Sequence, residues 1–71
     1  MKDDMTPSLA EMCKFARLHM EMSQKEFSKY IGSNQTEVSF IERGFIPEDG
    51  RKRKRIENFY YVAVQESSAQ W

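Results

Sequence analysis

The stretch from Ser23 to Gly44, SQKEFSKYIGSNQTEVSFIERG, leaves the chain little choice of local structure. Ser23 followed three residues later by Glu26 is a capping box, and Phe27, Tyr30 and Ile31 then give an apolar stripe at helical spacing. Gly32 is expected to stop that helix, because glycine takes the left-handed closing conformation without steric cost. Asn34, with Glu37 three residues on, restarts the chain as a second capping box. Two capped helices with so brief a join must cross at a steep angle, the geometry of a helix-turn-helix.

The later helix, Gln35 to about Arg43, is predicted to have two unlike faces. At roughly 100° per residue, Val38, Ile41 and Glu42 share one side. Thr36, Phe40 and Arg43 share the opposite side, flanked by Glu37 and Ser39, with Gln35 projecting from the first turn. The inner face is therefore apolar with one acid. The outer face mixes amide, hydroxyl, carboxylate, aromatic and guanidinium groups, which together can bond base edges, touch a thymine methyl and hold a phosphate. A plain solvated face would account for all of it except an exposed Phe40.

The flanking segments read as helices too. Thr6-Pro7-Ser8 is a start signal, a hydroxyl cap with proline in the first turn. Leu9, Met12, Cys13, Ala16 and Met20 then form an apolar stripe on a helix ending near His19. Cys13 falls inside that stripe, so a small buried hydrophobe is the better reading than a catalytic thiol. His19 sits where a helix dipole favours a cation, with no second metal ligand in sight. Beyond Gly44, Phe45-Ile46-Pro47 is a loop and Asp49 a cap for a fourth helix, about residues 50–64. That helix opens with the basic run Arg51 to Arg55 and continues with the stripe Ile56, Phe59, Tyr60, Ala63 and Val64. Tyr61 and Val62 lie off the stripe. Residues 65–71 read as a polar tail ending in Trp71. The expected class is all-α, four or five helices and no sheet.

Seventy-one residues make one domain, residues 1–71, and a chain this short buries only about 60% of its unfolded surface. It would gain from pairing with a second copy. The net charge is zero, but from Arg43 to Arg55 six basic residues stand against Glu48 and Asp49, a local +4. A dipolar molecule with one basic end can dock on phosphates. The acidic start MKDDM is not a signal peptide, and no run approaches the ~18 apolar residues that span a bilayer. One cysteine and one histidine supply neither a disulfide nor a metal cluster. A cytoplasmic protein with no cofactor, no metal, no small-molecule ligand and no membrane partner is the expectation. Cys13 and His19 fall on different helix faces, and with no phosphate-cradling glycine loop there is no enzyme chemistry to assign.

Arg17, Ser23-Gln24-Lys25-Glu26-Phe27, Gly32, Gln35-Thr36-Glu37-Val38-Ser39-Phe40-Ile41-Glu42-Arg43-Gly44 and Pro47 together resemble the Cro/repressor-type helix-turn-helix family of phage and bacterial regulators. The resemblance covers roughly residues 9–60 and needs all these offsets at once, which makes it specific. It implies a compact lambda-repressor-like domain whose helix-turn-helix proper spans residues 23–43. It implies that Gln35, Thr36, Glu37, Ser39 and Phe40 face bases in the major groove. It implies that Gln24 and Arg43 lie along phosphates, to which Lys25, Asn34, Arg51 and Lys52 are added as further phosphate candidates, and that Arg17 and Glu42 form a structural ion pair. The inner position of Glu42 independently demands a cation. The chain departs from the family pattern at Ser28, where alanine is usual, at the basic start of the fourth helix, and at Phe40, where a polar reader is commoner.

The expected function is a sequence-specific double-stranded DNA binder acting as a transcriptional regulator, Cro-like and a repressor, in the cytoplasm at the nucleoid. A homodimer is expected, with Tyr61, Val62 and Trp71 as interface candidates. The alternative is a protein-interaction module, an antirepressor or antitoxin, that uses an apolar patch of Phe40, Phe45 and Ile46 against a protein partner.

Overall fold

A computed structural model describes residues 6–68. Four helices follow one another: α1 (Leu9–His19), α2 (Gln24–Ile31), α3 (Gln35–Glu42) and α4 (Gly50–Ser68), with no strand among the described residues. The radius of gyration, 11.9 Å, is close to the ~11 Å of a compact chain this long.

Each helix begins where a side chain can satisfy its free amides. At α1 the cap is Ser8, and neither Thr6 nor a first-turn Pro7 starts the helix as the sequence reading had it. The Glu11 amide donates to Ser8 Oγ (3.2 Å) and the Ser8 amide to Glu11 Oε1 (2.8 Å), a reciprocal box that Thr6 cannot make because Leu9 stands three residues after it. At α2, Ser23 and Glu26 form the expected box, 2.9 and 3.0 Å. At α3 only half a box exists. The Glu37 amide donates to Asn34 Oδ1 (2.8 Å), but the Glu37 carboxylate turns to Ser33 and Lys52 instead of the Asn34 amide. Asp49 starts α4, its Oδ1 accepting from the Arg51 amide at 2.9 Å.

The first three helices also close alike, by an amide reaching back five residues to a carbonyl of the last turn. The bonds are Met22 to Arg17 (3.0 Å), Ser33 to Ser28 (2.8 Å) and Phe45 to Phe40 (2.9 Å). This Schellman closure needs one left-handed residue. Gly32 (φ 72°) and Gly44 (φ 118°) supply it without strain, and Glu21 (φ 57°) supplies it at the end of α1.

The apolar stripes converge on one core. Met12, Cys13 and Ala16 of α1 meet Phe27 and Ile31 of α2, Val38 and Ile41 of α3 and Ile56 of α4, all buried. Leu9, Met20, Met22, Phe59 and Tyr60 pack against its margin. Phe59 meets Phe27 edge-on, centroids 5.7 Å apart. Each fully buried large side chain contributes about 1.5–3 kcal/mol by leaving water. Ser28 is buried as well and stays satisfied by donating its Oγ proton to the Lys25 carbonyl (2.6 Å).

Two further expectations differ from the structure. Tyr30 is 54% exposed, because Phe27 and Ile31 already fill the core side of this eight-residue helix and Tyr30 only leans on the edge of Phe59. Residues 65–68, read as tail, continue α4. No glycine or proline interrupts them, and His19 Nε2 holds Glu66 Oε1 at 2.8 Å, fastening the last turns of α4 to the end of α1. Residues 69–71, including Trp71, lie outside the described residues.

Candidate functional site

Helix α3 separates its faces as its periodicity requires. Val38 and Ile41 are fully buried, while Gln35, Thr36, Phe40 and Arg43 are exposed and Ser39 is half-buried. Between this outer face and the start of α2 lies an open depression of about 300 Å³, lined by Gln24, Gln35, Thr36, Ser39, Phe40 and Arg43. Its lining offers two amides, two hydroxyls, an aromatic face and a guanidinium. Arg43 lies over the Phe40 ring, 5.6 Å from its centroid, a cation–π contact between two exposed side chains.

Beneath the depression, Glu42 fixes the last turn of α3. Its carboxylate accepts from Arg17 Nε (2.7 Å) and Nη2 (3.1 Å), from Gln24 Nε2 (3.3 Å) and from Cys13 Sγ (3.7 Å). Arg17 also donates Nη1 to the Met22 carbonyl (3.1 Å). Burial alone would push the Glu42 carboxyl up. The hydrogen bonds from Arg17 and Gln24 and the Arg17 charge outweigh it and hold the group below the usual carboxylate range. The Arg17–Glu42 pair is formed as expected, and among the described residues Gln24 is the one that both braces it and lines the depression.

Cys13 is fully buried against this network. Desolvation, then the Glu42 charge, push its thiol up to about 12, so it is not a thiolate near neutral pH. Among the described residues no group of histidine, cysteine and carboxylate side chains is arranged to hold a metal ion.

The residues singled out in the sequence do not all gather here. Of the five base-facing candidates, Gln35, Thr36, Ser39 and Phe40 line the depression. Glu37 does not: its carboxylate accepts from Lys52 Nζ at 2.7 Å and from Ser33 Oγ, and the Lys52 bond first, then that of Ser33, holds it below the usual carboxylate range. Of the phosphate candidates, Gln24 and Arg43 line the depression. Asn34 caps α3 through its Oδ1 outside the lining, and Lys52 is paired with Glu37. Lys25 and Arg51 are exposed outside the lining.

The basic run of α4 divides in the same way. Arg53 turns back to donate Nη1 to the Pro47 carbonyl (2.5 Å) and the Glu48 carbonyl (3.3 Å), while Arg51, Lys54 and Arg55 stay exposed. Arg55 was not singled out, yet its Nη1 lies only 2.8 Å from where a Cβ on Gly32 would stand, against the turn between α2 and α3. Only the contact between distant segments puts it there; its position in a charge run carries no such signal.

Tyr61 and Val62 are 56% and 50% exposed. Tyr61 belongs to a row of rings that the sequence reading missed, Phe15 edge-on to Tyr60 (5.7 Å) and Tyr60 to Tyr61 (5.5 Å). Phe15 lies off the α1 stripe, and its exposed position left no periodic signal. No helix among the described residues is long and apolar enough to cross a membrane. Comparison of the chain with family models, with curated proteins and with solved structures finds no match.

Proposed function

We propose that this protein is a sequence-specific double-stranded DNA binder of the Cro/repressor helix-turn-helix type, acting as a homodimeric transcriptional repressor. In this reading α2 and α3 are the helix-turn-helix, α3 enters the major groove, and Gln35, Thr36, Ser39 and Phe40 read base edges and thymine methyls. Gln24 and Arg43 hold phosphates from the two ends of the depression, with Arg51 and Arg55 flanking. Phosphate contacts fix position and base contacts specify.

The observation that carries the reading is the depression. One exposed helix face and the first residue of the preceding helix bring together donors, acceptors, an apolar ring and a guanidinium, while the opposite face is locked by Val38, Ile41 and Glu42. A merely solvated face needs neither the held Phe40–Arg43 pair nor the Gln24 brace. The test is selection from random duplexes combined with sedimentation. A two-fold symmetric site with half-sites about 34 Å apart and a dimer on it is expected. Affinity should fall with salt, the log–log slope gaining about 0.9 per neutralised phosphate. Equal affinity for every duplex would refute sequence-specific binding.

A second reading has its own observation. Phe40, Phe45 and Ile46 are 48%, 50% and 62% exposed, an apolar shoulder beside the same depression. A protein-interaction module would use that shoulder against a partner protein. Phe40→Ala separates the two: altered sequence preference supports DNA reading, and unchanged DNA behaviour supports the module.

A further inference from the structure

The contact between Glu37 and Lys52 joins two residues that the sequence assigns separately, Glu37 to base edges and Lys52 to phosphates. Glu37 lies in the first turn of α3 and Lys52 in the first turn of α4, and Ser33 of the intervening turn donates to the same carboxylate. Both charged side chains are 22% exposed. They are thus reachable from solvent but already neutralised by one another. Asn34 caps α3 independently, so the carboxylate is not needed to start the helix. Its partner is a cation of the basic run, in which Arg51, Lys54 and Arg55 are exposed.

We propose that Glu37 limits the affinity of this protein for the DNA backbone by withholding Lys52 from the phosphates, so that every duplex is bound with one general contact fewer and a shallower salt dependence. The inference rests on the DNA-binding reading above. Sequence-independent affinity comes from cations that displace counterions from phosphates, and each such cation strengthens all duplexes alike. A cation held by an internal carboxylate displaces none. A contact common to specific and non-specific sites scales both affinities alike, so Glu37 sets absolute affinity and its salt dependence, while the ratio between sites stays with the base contacts of α3.

A thermodynamic cycle with E37Q, K52M and the double variant, read on a random-sequence duplex across a salt series, tests this. E37Q should bind that duplex several-fold more tightly than the parent, with a log–log salt slope steeper by about 0.9, one phosphate more. K52M alone should leave the slope where it was, and the gain from E37Q should vanish in the K52M background. Ser33→Ala, which loosens the same carboxylate without changing charge, should move affinity in the direction of E37Q. An E37Q slope equal to the parent's, or a K52M slope shallower by about 0.9, would overturn the inference while leaving DNA binding intact. A parent protein that binds no duplex removes the functional reading and this inference with it.

Discussion

Arg17 and Glu42 stand 25 positions apart and meet as a two-pronged pair, at 2.7 and 3.1 Å, tying α1 to the last turn of α3. Their side chains are 14% and 8% exposed, so neither charge can recover its hydration if the other is removed. Arg17→Ala or Glu42→Ala should each lower stability by about 3–5 kcal/mol in urea unfolding. The double variant should lose less than the two losses added, because it strands no charge. Single losses below about 1 kcal/mol would mean that the pair behaves as a surface contact.

Acid should remove part of this stability in a defined direction. Glu42 is held low by Arg17 and Gln24 against its own burial, and Glu37 by Lys52 and Ser33. Glu26 is held low by the Ser23 backbone amide and hydroxyl at the α2 cap. A carboxyl depressed on folding contributes fully above its unfolded value of about 4.3, and that contribution is lost as pH falls through the lower folded value. The melting temperature should therefore hold steady from neutrality to about pH 5 and fall below about pH 4. E42Q should melt lower near neutrality and approach the parent in acid, with a shallower acid limb, as followed by circular dichroism.

The left-handed closures make two substitutions of opposite sign. At Gly32, φ is 72° and a Cβ would meet Arg55 Nη1 at 2.8 Å, so Gly32→Ala should cost about 1–2 kcal/mol. In an Arg55→Ala background the same change should keep the backbone part of that loss, since only the steric part belongs to the arginine. Glu21 holds the same kind of conformation at φ 57° on an exposed turn. Glu21→Gly should therefore raise stability, by up to about 1 kcal/mol, in the same denaturant series.

Cys13 should be silent to thiol reagents while the protein is folded. It is fully buried and its thiol is pushed up to about 12, chiefly by burial. Alkylation should proceed only through opening of the α1 core and should speed up in urea in step with unfolding. Labelling at the rate of a free thiol in native buffer would contradict the packing described for α1.

Arg43 and Phe40 can be separated on DNA. Arg43→Ala should weaken binding to all duplexes and reduce the salt slope by about 0.9, while Phe40→Ala should change the selected sequence with little change in slope. Both residues are exposed, so thermal melts of the two variants should stay near the parent's.

Much of the fold was legible because it is written in local chemistry. Ser23 with Glu26, the glycines at 32 and 44, and the stripes of Met12, Cys13 and Ala16 or Val38 and Ile41 each act within a turn or two of their own position. Glu42 was legible for another reason: an acid on an apolar face has to be met by a cation. Glu37 was not. Its spacing from Asn34 fits a capping box, and only the arrival of Lys52 from α4, 15 positions later, offers the stronger partner. Residues 65–68 were misjudged as tail because their polarity hides a helix secured by one long-range contact, His19 to Glu66. Arg55 and Phe15 were missed because each takes its place from a neighbour on another helix.

The clasp of Arg53 on the Pro47 and Glu48 carbonyls has a thermodynamic corollary for the loop it holds. Phe45 and Ile46 ride on a short strap fastened at one end by the Phe45 amide to Phe40 and at the other by a guanidinium rooted in a helix. A strap secured at both ends has surrendered its freedom during folding. Whatever molecule settles on those two side chains finds them already in position, and little further ordering is charged against its affinity.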